Sequence, residues 1–158
     1  MPERSVTHNT FTIERTYPVP AEQVFAALAD PSKKRRWYAE ESENHEVEAF
    51  EMDFRVGGKE CAQYRFKSGT PFPGAILSHE GIYQDIVQDR RVVIASTMAL
   101  GGRRFSASLA TFELVPAGKA TELVLTHQGA FFEGADGSER RRDGWRKLLD
   151  RMADQLEG

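Results

Sequence analysis

The spacing of apolar residues predicts one strand and two short helices at the start of the chain. Apolar and polar residues alternate over residues 9–17, which is typical of a strand. Apolar positions at helical spacing predict a helix over 20–29. Asp30-Pro31 places an N-capping acid before a proline, which predicts a second helix over 31–37.

The middle of the chain is predicted to form about six consecutive strands. Gly57-Gly58 and Gly101-Gly102 favour tight hairpin turns, because glycine supplies the positive φ that such turns need. Strands joined in sequence by hairpins make an antiparallel sheet. The predicted strands cover residues 47–54, 61–66, 78–87, 91–100, 104–115 and 120–128.

A long amphipathic helix is predicted over 138–157. Asp136 and Glu139 have the spacing of a capping box before it. The sheet and this helix must each bury an apolar face, and a curved sheet around a long helix leaves space of the kind that ligands occupy. The apolar positions of the helix are Trp145, Leu148, Leu149, Met152 and Leu156.

Length and charge narrow the possible functions. The 158 residues predict one α+β domain over 9–158, with residues 1–8 as a flexible N-terminus. A net charge of −3 argues against a nucleic-acid partner. The longest mainly apolar run, 92–100, is about half of what a membrane-spanning helix needs.

The cysteine and histidine content predicts a cytoplasmic protein without a metal or another cofactor. Cys61 is the only cysteine, so no intramolecular disulfide can form, and no apolar segment of a secretion signal is visible. No two histidines have metal-ligand spacing, which argues against a zinc site. The histidines are His8, His45, His79 and His127.

Several short motifs occur in a fixed order along nearly the whole chain. They are the opening from Phe11 to Pro31, then Trp37, Arg55 with Gly57-Gly58, Gly81 with Tyr83, Thr121 with Leu123, Gln128-Gly129, and Gly144-Trp145. This series resembles the START-like, or SRPBCC, superfamily. Within it, the series is most similar to the AHSA-like branch, named after the C-terminal domain of the activator of the heat-shock-protein ATPase.

The resemblance implies a helix-grip fold, as in birch-pollen-allergen-like proteins. In that fold a curved antiparallel sheet of about seven strands surrounds a long C-terminal helix, and two short helices follow the first strand. The resemblance also implies a mostly apolar cavity and no shared catalytic residue. Members include lipid carriers, cyclases, aromatases and hormone receptors. Eukaryotic members that stimulate the chaperone carry an additional N-terminal domain, for which this chain is too short.

Two polar residues are candidates for the cavity. His127 shares a strand face with Leu123 and Leu125, so it should point towards the cavity, as a general base, a hydrogen-bond donor, or a satisfied histidine at the strand end. Arg141 lies four residues before Trp145 and leans towards the buried face. It is expected to pair with an anionic ligand or a buried acid, or to form an ordinary salt bridge.

The glycine-rich segment 128–134 is interpreted as a lid loop. Phe131 or Phe132 would plug one cavity end, and Trp37 and Trp145 would bring further aromatic surface to the mouth. The alternative is that these aromatic rings fill the core and leave no cavity. The basic run 33–36 is interpreted as the solvated face of a short helix.

These observations predict a protein that binds a small apolar or aromatic molecule between the sheet and the last helix. One alternative is a cyclase, dehydratase or hydrolase that uses the same cavity, with His127 as the only, weak catalytic candidate. Another is a chaperone-linked interaction module, and a homodimer is left open. The predicted ligand-binding residues are Trp37, Tyr64, Phe66, Tyr83, Ser96, Met98, Ser108, Ala110, His127, Phe131, Arg141, Trp145, Leu148, Leu149 and Met152.

Overall fold

A computed structural model describes residues 5–157, which form one antiparallel sheet and three helices. The α+β helix-grip fold predicted from the sequence is confirmed. The elements in chain order are β1 (Thr7–Tyr17), α1 (Ala21–Ala29), α2 (Pro31–Tyr38), β2 (His45–Met52), β3 (Lys59–Phe66), β4 (Ile76–Val87), β5 (Arg91–Leu100), β6 (Arg103–Ala117), β7 (Ala120–Phe131) and α3 (Ser138–Glu157).

The sheet has the strand order β1-β7-β6-β5-β4-β3-β2. Strands β2 to β7 follow one another as hairpins, and β1 pairs with the outer edge of β7. The sheet is curved, and α3 packs against it together with the two short helices. This arrangement gives the sheet an inner face that is covered by helices.

The hydrophobic core fills one part of the space between the sheet and the helices. Leu149 and Met152 of α3 have no exposed surface and pack against buried residues of the sheet and of α1. The polar tips of buried aromatic residues find backbone partners. The Tyr17 hydroxyl donates to the Leu149 carbonyl oxygen at 3.0 Å, and Trp37 Nε1 donates to the Ala27 carbonyl oxygen at 2.8 Å.

Several predicted element boundaries differ from the observed ones by one or two residues. Strand β1 begins at Thr7, so two residues of the predicted flexible N-terminus are paired with β7; residues 1–4 of that segment lie outside the described residues. Strand β2 ends at Met52, two residues before the predicted end. The predicted bounds of the last helix, 138–157, match α3.

The interpretation of 128–134 as a lid loop is wrong for its first half. Strand β7 continues to Phe131, which pairs with Thr7 of β1 on one side and Ser106 of β6 on the other. Two neighbouring strands therefore extend the ladder past Gly129, and only the short segment 132–137 connects β7 to α3. Within the described residues, no helix combines the length and apolar character needed to cross a membrane.

Candidate functional site

A cavity of about 350 Å³ lies between the inner face of the sheet and α3. The alternative of an interior filled by aromatic side chains is therefore wrong. The volume falls within the range of small-molecule sites, roughly 300–1,000 Å³. Its lining consists of Lys34, Tyr38, Glu40, His45, Glu60, Tyr64, Leu77, His79, Ile94, Ser96, Met98, Ser108, Ala110, Phe112, His127, Asp136, Arg140, Arg141, Gly144, Trp145, Lys147, Leu148 and Arg151.

Small residues in the middle of the sheet leave room for this cavity. Gly129, Ser108, Ser96 and Gly81 are direct partners across β7, β6, β5 and β4, so they form one row. We call these four residues the small-residue row. Because alternate residues share a face, the row belongs to the inner face. Ser96 and Ser108 in its middle line the cavity, and the next partner of the row, on β3, is Glu60.

Apolar and aromatic groups form most of the wall beside the row. Trp145 of α3 has its ring centroid 5.6 Å from that of Phe112 and 5.9 Å from that of Tyr38. Ile94 and Met98 contribute aliphatic surface from β5 on either side of the row. Aromatic and aliphatic side chains are typical of the walls of small-molecule sites.

A buried polar cluster closes the cavity at the β3 side. We call Lys34, Glu60, His79 and Tyr83 the polar cluster. Glu60 Oε1 accepts hydrogen bonds from Lys34 Nζ and from the Tyr83 hydroxyl, the latter at 2.7 Å. Glu60 Oε2 lies 3.2 Å from His79 Nε2. Lys34 Nζ also lies 4.7 Å from the ring centroid of Tyr38, a favourable position for a cation over an aromatic face.

The charges of this cluster keep its carboxylate ionised. Burial alone would raise the pKa of Glu60, but the Lys34 ammonium and the hydrogen bond from His79 hold it well below its ordinary value. Burial, and secondly the Glu60 charge, raise the pKa of the Tyr83 phenol well above its ordinary value. The same causes raise the pKa of Tyr64 to about 12. Both phenols therefore remain protonated hydrogen-bond donors.

The polar cluster was missed in the sequence, and the interpretation of Lys34 as solvent-exposed is wrong. Lys34 is only 3% exposed, because it lies on the same helix face as the fully buried Trp37 three residues later. Glu60 precedes Ala62 and Tyr64 at period two and so belongs to the inner face of β3. These two spacings were the available signals for burial. They were outweighed because charged residues are usually exposed.

A second polar region lies at the β7 side of the cavity, around His127. The imidazole is 1% exposed and stacks on Phe11, with ring centroids 4.8 Å apart and planes within 8°. Neither ring nitrogen has a hydrogen-bond partner among the described residues. Burial, and secondly the positive charge of Arg141, lower the pKa of His127 to about 4. His127 is therefore neutral near pH 7 and lacks an acid that would orient a catalytic base.

Arg141 forms a salt bridge at the edge of the cavity. Its Nε and Nη2 each donate to one carboxylate oxygen of Asp136 at 2.8 Å, and Nη2 also donates to Ser106 Oγ at 2.8 Å. The guanidinium lies over the Phe131 ring at 5.1 Å. Of the alternatives left open for Arg141, the structure shows a pairing with an acid of this chain. The carboxylate of Asp136, predicted to belong to a capping box, serves this pairing.

The structure brings nine of the fifteen predicted ligand-binding residues together in the cavity wall. Six of them lie on strands, where alternation along each strand fixes the side that a residue faces, and three lie on α3. The nine are Tyr64, Ser96, Met98, Ser108, Ala110, His127, Arg141, Trp145 and Leu148. Whether they contact a ligand is a prediction addressed below.

Six predicted residues do not lie in the wall. Three of them, Trp37, Leu149 and Met152, are in the hydrophobic core. Their helices pack these side chains into the core and not into the cavity wall.

The other three are displaced from the wall for local reasons. Tyr83 is 1% exposed and lies outside the cavity lining, where its hydroxyl donates a hydrogen bond to Glu60. Phe131 is buried between His127 and Arg141 instead of standing in a lid. Phe66 ends β3, where its backbone pairs with Ala75 beyond the cavity. Consequently, Trp145 alone of the three aromatic residues predicted for the mouth lines the cavity.

The side chains of the described residues do not form a possible metal site. Among residues 5–157, no group of three or more His, Cys, Asp or Glu side chains is placed to hold a metal ion.

Comparison with known proteins identifies the family and the fold. The family model described as Activator of Hsp90 ATPase homolog 1-like protein matches residues 18–157. The crystal structure of the Mll3558 protein from Rhizobium loti is 42% identical, with a TM-score of 0.85, over 96% of this chain and 99% of that one. A putative uncharacterised protein from Rhizobium leguminosarum is 33% identical, with a TM-score of 0.87, over 99% of both chains.

A more distant structure supports the fold alone. The AHSA1 protein from Silicibacter pomeroyi is 23% identical, with a TM-score of 0.71, over 94% of this chain and 98% of that one. The comparison with curated proteins found no match.

Proposed function

The chain belongs to the family of Activator of Hsp90 ATPase homolog 1-like proteins, and within that family we propose that it binds one small apolar or aromatic molecule in its cavity. The observation that carries this proposal is the cavity of about 350 Å³ between the sheet and α3. Protein interiors normally pack to crystal-like density, so a cleft of this size beneath α3 is a candidate site for a ligand.

The character of the wall supports an apolar ligand. Aliphatic and aromatic side chains, among them Ile94, Met98, Phe112 and Trp145, provide much of the lining. Removing apolar surface from water contributes about 25 cal/mol per Å² before the costs of binding are subtracted. The polar groups of the wall would then set the orientation of the ligand rather than supply most of its affinity.

The experiment is a calorimetric titration with a panel of small aromatic hydrocarbons that includes 2-methylnaphthalene. Ser108→Phe places a ring over the small-residue row and should weaken binding at least about tenfold, because the ring occupies the ligand's space. The matched control is Ala107→Phe. Ala107 is the neighbouring residue, on the opposite face of β6, so this variant should bind within about twofold of the wild type.

Circular dichroism spectra would verify that both variants are folded. The proposal fails if the wild-type protein binds no member of the panel. It also fails if Ser108→Phe binds the panel as tightly as Ala107→Phe does, because the site would then lie outside the cavity.

A further inference from the structure

We infer that the cavity selects aromatic molecules that carry a hydroxyl group, and that Nδ1 of His79 accepts the hydrogen bond from that hydroxyl. The inference rests on the proposed function and adds to it the chemical class of the ligand and its orientation. The polar cluster is its basis, because that cluster presents a fixed imidazole edge to an otherwise mainly apolar space.

The proton position on His79 follows from its partner. Nε2 lies 3.2 Å from Glu60 Oε2, and an ionised carboxylate only accepts hydrogen bonds, so Nε2 carries the proton. Lys34 already balances the charge of Glu60, and a second buried cation would be costly. In the neutral imidazole, Nδ1 then has a free lone pair. His79 lines the cavity, and its Nδ1 makes no hydrogen bond within the described residues.

The orientation of the imidazole is held by two contacts, one with Glu60 and one with Tyr38. The Tyr83 hydroxyl and Lys34 Nζ both donate to Oε1 of Glu60, which prevents the carboxylate from rotating away from His79. The His79 and Tyr38 rings form a T-shaped pair, with centroids 5.8 Å apart and planes at 70°. An acceptor that is already ordered costs little entropy when a ligand binds, which is the condition for selectivity.

An aromatic body for the ligand follows from the rings next to this acceptor. Tyr38 contacts His79, and its own ring lies 5.9 Å from that of Trp145. A ligand whose hydroxyl reaches Nδ1 would therefore place its ring against Tyr38 and Trp145. The hydroxyls of Ser96 and Ser108, farther along the sheet, lie 3.3 Å apart and hydrogen-bond to each other.

His127 does not offer an equivalent acceptor, although it also lines the cavity. Its ring lies flat on Phe11, and Phe131 stands beside it, so both ring nitrogens are closed off. Of the two buried histidines on the inner face, only His79 is therefore expected to accept a hydrogen bond from the ligand.

The test compares three probes of similar size on the wild-type protein by calorimetry. 2-Naphthol carries the hydroxyl, 2-methylnaphthalene replaces it by a methyl group, and 2-methoxynaphthalene keeps the oxygen but lacks the proton. 2-Naphthol should bind about tenfold more tightly than either of the others, because only it can donate to Nδ1. His79→Phe should reduce this preference to within about twofold, and His8→Phe, at an exposed position of β1 outside the cavity, should preserve it.

Equal affinity of the wild type for 2-naphthol and 2-methylnaphthalene would overturn the inference and leave the proposed function intact. Failure of all three probes to bind would overturn both. A preference for 2-naphthol that 2-methoxynaphthalene shares, or that survives in folded His79→Phe, would also overturn the assignment. If His79→Phe does not fold, the wild-type comparison still tests the hydroxyl preference, and His79→Leu tests the assignment of the acceptor in its place.

Discussion

The two buried histidines of the cavity differ in their partners rather than in their burial. His79 bonds to the carboxylate of Glu60, which Lys34 and Tyr83 hold in place. His127 lies between the rings of Phe11 and Phe131, and neither of its nitrogens has a hydrogen-bond partner among the described residues. A buried histidine is therefore useful as a recognition group only where a neighbouring residue fixes its proton and leaves the other nitrogen open.

The largest expected effect comes from breaking the polar cluster. Lys34→Met should lower the free energy of unfolding by about 3–5 kcal/mol, because Glu60 would keep a buried charge without its cation. Urea unfolding at pH 7.5 measures this change. The control is Lys33→Met on the exposed side of α2, which should shift the free energy by less than about 0.5 kcal/mol.

A double variant sharpens the interpretation of that result. Lys34→Met combined with Glu60→Met removes both charges and should recover most of the lost stability, since the penalty arises from the unpaired carboxylate. Equal stability of Lys34→Met and the wild type would contradict the description of the polar cluster as a buried ion pair.

The next effect concerns the dependence of stability on pH and arises from His127. The pKa of His127 is lowered from 6.5 to about 4, so between these values the unfolded chain binds a proton that the folded protein does not. Stability should consequently fall as the pH decreases from 6.5 to 4, by roughly 2–3 kcal/mol from this group. Urea unfolding across this range should show a shallower pH dependence in His127→Leu, and identical slopes would contradict the prediction.

The smallest expected effect is on the melting temperature at neutral pH, which His127→Phe and His79→Phe should shift in opposite directions. His127→Phe removes two unpaired buried nitrogens and should leave the melting temperature unchanged or raise it by a few degrees, which corresponds to about 1 kcal/mol. His79→Phe removes one hydrogen bond to Glu60 and should lower it. Thermal unfolding of both variants checks the comparison, which would be wrong if the two shifts had the same sign.

Much of the fold could be predicted because its signals are local. The period-two pattern and the glycine turns gave the strands, and helical spacing gave the bounds of α3 at 138–157. The end of β7 was missed because Gly129 interrupts the apolar alternation that continues from His127 to Phe131. Pairing with both neighbouring strands extends β7, and that information is not local.

The candidate site also contains residues that local patterns predict and residues that only long-range contacts bring together. Alternation along β5 and β6 was enough to bring Ser96, Met98 and Ser108 into the wall. The polar cluster could not be predicted in this way, because Lys34 and Glu60 are 26 residues apart and meet only when α2 folds over β3. Each charge, taken alone, indicates a surface residue.

The small-residue row also suggests how members of this fold could come to accept molecules of different size. Each of its four positions is on a different strand, and Gly81 admits no larger residue without a shift, because a Cβ there would lie 2.6 Å from Ile94 Cδ1. At Ser96 and Ser108, in contrast, each added carbon would subtract from the space beneath α3. Because their hydroxyls lie 3.3 Å apart, the two serines form one joint adjustment of capacity, which evolution or design can change without rebuilding the helix that closes the cavity.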